Sequence, residues 1–295
     1  MPPDLPLARS DRTPLEVARR CAHEAASIVM EGLGKPQEVR AKGRGNLVTA
    51  ADLASERAIH AILRDEYPDH SVLSEETASG GSRVEGQGSS ASGAVTHDPG
   101  PVTPEGSGGG WLWVVDPLDG TRNYLSAIPL FCINIALCHN EEPLLALTFE
   151  PVRGEEFSAL AGAGAFLNDR PIRASTKESV MASVLAVDMG YDDARAARAL
   201  SLVGELWPGM QSVRVIGSAA LGLAYAACGR FDVFVHHMLY PWDIAAGILL
   251  VREAGGAITD RDGGPIGIRS EGVIAGAPGA HADFLRLAAG RAWRR

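Results

Sequence analysis

Apolar positions recur at helical spacing after Pro14: Leu15, Val17, Ala18, Ala22, Ala25, Ala26, Val29 and Met30 fall on one side. The period predicts a helix opened by Pro14 and stopped by Gly32 and Gly34. A second helix is predicted from about Ala50 to Tyr67, with Pro68 as its stop. Between them, residues 35–46 are basic and glycine-bearing and read as a loop. Ser71–Leu73 is a short extended piece leading into Ser74-Glu75-Glu76-Thr77. The pattern then lapses. Residues 79–110 hold ten glycines and three prolines, and their only aliphatics larger than alanine are three isolated valines. Such a stretch has nothing to bury and reads as a disordered insert.

Apolar runs resume at Trp111. Trp111–Val115 is predicted as a buried strand and Asp116-Pro117-Leu118-Asp119-Gly120 as a turn. Strands are predicted over Phe131–Cys138, Leu144–Phe149 and Glu155–Leu160, followed by a hairpin-like element at residues 162–172 (GAGAFLNDRPI). Further strands are read at Val184–Asp188, Ser212–Ile216, Phe231–His236, Ala257–Thr259 and Val273–Ala275. Helices are read at Ala194–Leu206, Ser218–Cys228, Trp242–Ala254 and His281–Ala289, the third ended by Gly255-Gly256. Helices mixed with antiparallel-looking strands predict a layered α/β architecture.

Composition narrows the function classes. A chain of 295 residues carries a formal net charge of −9, and only three of its 27 basic residues are lysine. That balance argues against a nucleic-acid or membrane surface, both of which need a basic patch. A small phosphorylated substrate remains compatible, because metal ions can reverse the local field. Cys21, Cys132, Cys138 and Cys228 form neither a CxxC nor a Cys/His cluster and read as buried small hydrophobes. No apolar run reaches membrane-spanning length, and the acidic start of the chain lacks the pattern of a leader peptide, so the cytoplasm is the expected location.

Carboxylates at strand ends and helix starts, flanked by Gly, Pro and small polar residues, are the candidate metal ligands. Four places qualify: Asp52 after Thr49, Glu75-Glu76 after the extended SVL, Asp116 with Asp119, and Asp243 after Pro241-Trp242. An isolated Asp in such a place can equally be a helix cap. The pair at 116 and 119 says more, since an apolar strand delivers the first and the second can curl back to share a cation, with the Leu118 carbonyl as a further oxygen. Oxygen donors without His or Cys suit Mg²⁺ rather than Zn²⁺. Gly120-Thr121 follows at an expected helix start, where free N–H groups can hold a phosphate. His236 and His237 precede Asp243. On a strand they point to opposite faces, one to a pocket and the other to the surface.

Together GNLVTAADLASE (45–56), LSEET (73–77), WVVDPLDGTRNY (113–124), the 162–172 element and YPWDIAAGILLVREAGG (240–256) resemble the magnesium-dependent, lithium-sensitive inositol monophosphatase family. The resemblance implies an α+β fold, a layered αβαβα sandwich. It implies an N-terminal α+β lobe at 14–172 interrupted by the 79–110 insert, a C-terminal α/β lobe at 173–295 contributing Asp243, and a loose tail at 1–13. It implies two or three Mg²⁺ per site. Glu75, Asp116 and the Leu118 carbonyl look like ligands of the first, Asp116, Asp119 and Asp243 of the second, and the Glu75–Glu76 side of a weaker third. Glu75 and Thr121 would hold the attacking water, Asp52 would orient Thr121, and Gly120 and Thr121 N–H groups would hold phosphate. Lys42 would stand near the site. Seven residues before Asp243, where inositol-specific members carry a glutamate, this chain has His236, a candidate substrate contact. Arg122 and Arg214 are further phosphate or interface candidates. The implied activity is hydrolysis of an inositol-1-phosphate-like phosphomonoester by a homodimer. Histidinol phosphate, sugar phosphates, 3′-phosphoadenosine 5′-phosphate and a non-catalytic interaction role are the alternatives.

Overall fold

A computed structural model describes residues 5–43, 46–80 and 110–294; the side chains of residues 42, 43, 79, 80 and 294 are not part of that description. Helix α1 (Pro14–Gly32) starts where its sequence demands. Thr13 and Glu16 form a reciprocal capping box, and Pro14 occupies the first turn. Strands β1 (Val39–Gly43) and β2 (Asn46–Thr49) form an antiparallel pair, where the sequence suggested only a loop. Helix α2 (Ala50–Glu66), strand β3 (Ser71–Ser74) and the short α3 (Glu75–Gly80) follow. Residues 79 and 80 therefore close a helix, while 81–109 of the expected insert lie outside the described residues.

Strand β4 (Trp111–Asp119) leads into the one-turn α4 (Thr121–Leu125), then β5 (Cys132–His139), β6 (Glu142–Glu150), β7 (Glu155–Leu160), β8 (Gly164–Leu167) and β9 (Arg170–Pro171). With β3 these make a seven-stranded sheet in the order β3-β4-β5-β6-β7-β8-β9, antiparallel except for β3 against β4. Downstream come β10 (Val184–Asp188), α5 (Asp193–Leu206), β11 (Ser212–Arg214), α6 (Ala219–Ala227), β12 (Val233–His236), α7 (Pro241–Glu253), β13 (Ala257–Asp260), β14 (Val273–Gly276) and α8 (Pro278–Ala288). The second sheet has the order β11-β10-β12-β14-β13. It is mixed rather than antiparallel, with β10 parallel to both its neighbours.

Side-chain alternation on β4 explains the layers. Trp113 and Val115 pack with α1 and α2, whereas Leu112 and Val114 point the other way, toward α6 and α7. The far side of α6 and α7 meets Ala186, Phe234, Val273 and Ala275 of the second sheet. That sheet's outer face, including Leu185, Val187, Val233 and Ile274, packs on α5 and α8. The result is a five-layered αβαβα sandwich, the expected α+β class. Its middle layer is sealed on both sides, which is why α6 and α7 are apolar around nearly their whole circumference. Gly247 permits this closeness, since a Cβ there would sit 2.4 Å from Leu223 Cδ1. No described helix is long and apolar enough to cross a membrane.

Candidate active site

The end of β4 is a continuous strand with a bulge, not the turn the sequence suggested. Asp116 pairs with Asn134 and Asp119 with Cys132, so β4 spends one extra residue between them. Residues three apart on a regular strand face opposite ways; the bulge restores one phase and turns both carboxylates to the same side. Pro117 sits inside the bulge, where a missing N–H breaks no ladder bond.

The third aspartate arrives from α7. Asn134, opposite Asp116, donates from Nδ2 to the Trp242 carbonyl at 2.7 Å and accepts from Thr148 Oγ1 at 2.7 Å. This clamp fixes the first turn of α7 over β5, with Asp243 at its start. Ligand oxygens of Asp116, Asp119 and Asp243 lie within 4.8 Å of one another. Each aspartate also has one oxygen anchored. Leu118 N–H donates to Asp116 Oδ1 at 3.0 Å, Ala220 N–H to Asp119 Oδ2 at 2.9 Å, and Tyr240 N–H to Asp243 Oδ2 at 2.7 Å. Ser218 Oγ also donates to Asp119 Oδ2. These bonds fall on Asp116 Oδ1, Asp119 Oδ2 and Asp243 Oδ2, and leave the opposite oxygens for a cation.

The electrostatics point the same way. Burial raises the pKa of Asp116 well above the ordinary carboxylate range, and the charges of Glu75, Asp119 and Asp243 add to it. Asp243 is raised by burial and by Asp119 and Glu75; Asp119 is raised by burial against the hydrogen bonds that hold it down. Like charges gathered out of water are unfavourable until a cation joins them. An all-oxygen set of this kind fits a hard divalent ion, so the residues present fit the metal that the sequence implied.

Glu75, Leu118, Gly120 and Thr121 line the same cavity of about 240 Å³ as the three aspartates. Glu75 stands outside the tight cluster, but its charge is felt by Asp52, Asp116 and Asp243. Gly120 caps α4 at φ 94°, and a Cβ there would lie 2.9 Å from the Leu130 carbonyl. Both constraints admit only glycine comfortably. Thr121 Oγ1 lies 3.0 Å from Asp52 Oδ1 and 3.1 Å from the Leu118 carbonyl, so its single proton goes to one of these acceptors. Asp52 does double duty. Its other oxygen accepts Thr49 N–H at 2.8 Å in the capping box of α2. Burial, with Glu75 adding, pushes Asp52 up to about 6.

The remaining sequence candidates divide. His236 lines the cavity; burial drives its pKa down to about 3, and its Nδ1 accepts Met238 N–H at 3.2 Å. His237 is 1 % exposed, which corrects the expected surface position; both rings are inside, centroids 5.5 Å apart. Glu76 does not join the cavity. It is buried on α3, where its N–H donates to Glu56 Oε1 at 3.1 Å. Lys42 lies on β1, and its side chain is outside the described residues. Arg122 borders the cavity with its guanidinium over the Tyr191 ring at 5.2 Å, whereas Arg214 is exposed and turned back onto Val213 O at 2.8 Å. A second groove is lined by Leu144, Leu249 and Glu253, but both Glu253 oxygens are occupied by Gly162 and Gly164 N–H.

Sequence reasoning missed Asp188, Tyr191 and Ser218. Asp188 and Tyr191 line the cavity, and Ser218 holds Asp119. The signal for Asp188 was present: like Asp116, it ends an apolar strand just before a glycine-bearing loop.

The profile of the inositol monophosphatase family matches residues 11–292. The chain is 33 % identical over 268 residues to inositol monophosphatase 3 of Solanum lycopersicum, covering 88 % of this chain and 91 % of that one. It is 35 % identical over 267 residues to the Nus factor SuhB of Escherichia coli K12, covering 90 % and 91 %. Among solved structures, the extragenic suppressor protein suhB of Bartonella henselae superposes with a TM-score of 0.81 at 31 % identity, covering 94 % of this chain and 98 % of that one. The inositol monophosphatase of Anabaena superposes with a TM-score of 0.75, also at 31 % identity, over 94 % and 95 %. Fold, carboxylate cavity and these likenesses agree: the chain belongs to the inositol monophosphatase family and is a phosphatase.

Proposed function

We propose that the protein is a Mg²⁺-dependent phosphomonoesterase acting on a small phosphorylated polyol of the inositol-1-phosphate kind. The observation that carries this reading is the cluster of Asp116, Asp119 and Asp243 with anchored and available oxygens in one cavity. Glu75, Asp116, Asp119, Asp243 and the Leu118 carbonyl would hold the cations. When bound, such cations neutralise the phosphate dianion and lower the pKa of an attacking water.

The protein's own groups do the positioning. Where the Thr121 proton goes to Asp52, the hydroxyl oxygen keeps lone pairs free to accept a water proton, and Asp52 is held in place by the α2 cap. Glu75 would share that water. Gly120 and Thr121 N–H groups, at the unsatisfied start of α4, would take phosphate oxygens. The carbon skeleton of the substrate then extends toward the wall formed by Tyr191, His236 and Asp188. A homodimer is proposed by family membership alone.

The test is phosphate release from inositol 1-phosphate, histidinol phosphate, fructose 1,6-bisphosphate, 3′-phosphoadenosine 5′-phosphate and glycerol 2-phosphate. Each is assayed with Mg²⁺, with Mg²⁺ plus Li⁺, and with EDTA. Inositol 1-phosphate turns over fastest, Li⁺ inhibits, and EDTA abolishes release. Undiminished turnover in EDTA removes the metal mechanism, and a clear preference for histidinol phosphate replaces the substrate assignment.

A further inference from the structure

We infer that Asp188 is a specificity-determining residue that accepts a hydrogen bond from a hydroxyl of the substrate's leaving group. The inference rests on the phosphatase reading above and adds a residue to it.

Asp188 is the last residue of β10 and lies on the cavity wall, 4 % exposed. Its Oδ1 is consumed: Ile216 N–H donates to it at 3.1 Å and Gly217 N–H at 2.8 Å. Its Oδ2 is buried with no hydrogen-bond partner among the described residues. A buried acceptor without a donor costs about 1–3 kcal/mol. One oxygen alone would serve to tie the loop before α6, so the loop bonds do not account for the second.

His236 supplies the complementary half. In the parallel pairing of β10 and β12, Asp188 is opposite His236, so both side chains leave the sheet on the same face at the same end. Adjacent strands stand about 4.8 Å apart. His236 Nδ1 accepts a backbone N–H, which fixes the neutral ring as the tautomer carrying its proton on Nε2. Burial keeps it neutral, so Nε2–H is the donor the ring has left to offer. The wall therefore presents an acceptor beside a donor. A hydroxyl satisfies both at one oxygen, and a vicinal diol satisfies them with two. An ammonium group has only donors and would set one against Nε2–H; a carboxylate or second phosphate would face the Asp188 carboxylate. The chemical class selected is a neutral, hydroxyl-bearing leaving group.

The experiment compares inositol 1-phosphate with cyclohexyl phosphate, which has the same ring and no free hydroxyl, on the Mg²⁺-loaded wild type, Asp188→Asn and His236→Phe. Asparagine keeps an oxygen for Ile216 and Gly217 and replaces the free acceptor by a donor. Expected is a loss of kcat/KM on inositol 1-phosphate about 10- to 100-fold larger than on cyclohexyl phosphate, carried mainly by KM. His236→Phe gives a smaller loss in the same sense, and it carries the test should Asp188→Asn not fold. Equal losses on the two substrates reduce Asp188 to a tie for the α6 loop and overturn the inference. If the wild type releases phosphate from neither, the phosphatase reading itself falls, a result distinct from unselective variants of an active enzyme.

Discussion

At the scale of single residues, each of the three clustered aspartates has one oxygen tied to a backbone N–H. Asp116 illustrates the consequence. It is 1 % exposed and surrounded by three other carboxylates, so its charge is tolerable only beside a cation. Asp116→Asn is expected to lower kcat/KM by about 10²- to 10³-fold. The same change is expected to raise the melting temperature of the metal-free protein by about 2–4 °C, because it removes a buried repulsion of order 1 kcal/mol. Calorimetry in EDTA alongside an activity assay checks both; full activity would exclude Asp116 from the chemistry. Asp52→Asn is expected to act differently. Its contact is with Thr121, so kcat drops about 10- to 100-fold while the Mg²⁺ dependence is nearly unchanged. A Mg²⁺ titration of activity separates the two variants.

At the scale of elements, the carboxylates are held by fixtures in the segments around them. Glu56 on α2 is one. Its Oε1 accepts Glu76 N–H at 3.1 Å, Thr77 N–H at 3.0 Å and Ser74 Oγ, pinning the start of α3 and with it Glu75. Glu56→Ala leaves these donors without their acceptor, at a cost of about 1–3 kcal/mol. Expected is a Mg²⁺ requirement for half-maximal rate raised about tenfold, with saturated kcat falling less than threefold. An unchanged Mg²⁺ requirement would show that α3 positions Glu75 without this anchor. Gly120 is the second fixture. Gly120→Ala meets both a left-handed φ and the Leu130 carbonyl, and should cost about 1–3 kcal/mol, read as a shift in the urea midpoint. The elements themselves were largely legible. The stops of α1 and α2, the strand before Asp116 and the start of α7 follow from caps, prolines and apolar runs. The bulge of β4 and the β1–β2 pair were not, because each depends on a partner strand rather than on its own period.

At the scale of the whole molecule, the cavity is shared between layers. Asp116 and Asp119 come from the seven-stranded sheet, Asp243 from the middle helices, and Asp188 and His236 from the second sheet. Cation binding should therefore stabilise the assembly and not just a loop. The carboxylates of Asp52, Asp116, Asp119 and Asp243 are all shifted upward in the folded state, so between their unfolded and folded pKa values the native protein holds more protons than the unfolded chain. In metal-free protein this contribution falls as pH rises from about 4 through 6 and beyond. A divalent ion competes with those protons and gains as they leave. The difference in melting temperature between Mg²⁺ and EDTA should accordingly widen from pH 5 to pH 8, and a gap that is constant or narrows over that range would contradict the linkage.

By itself the sequence singled out Glu75, Asp116, Asp119, Thr121 and Asp243 as candidates, because they stand in short runs whose turns, caps and apolar flanks are written within a few positions. It also marked the ends of α1 and α2, since capping and periodicity act over one or two turns. Tertiary structure alone decided that Asp188 shares their cavity, that Glu76 is not among the residues lining it, and that His237 is buried beside His236. Asp119 is held by Ser218 and Ala220, about a hundred positions along the chain, and Asp188 by Ile216 and Gly217 across a loop. Contacts over such separations follow from how sheets stack and strands register, and no local period encodes them.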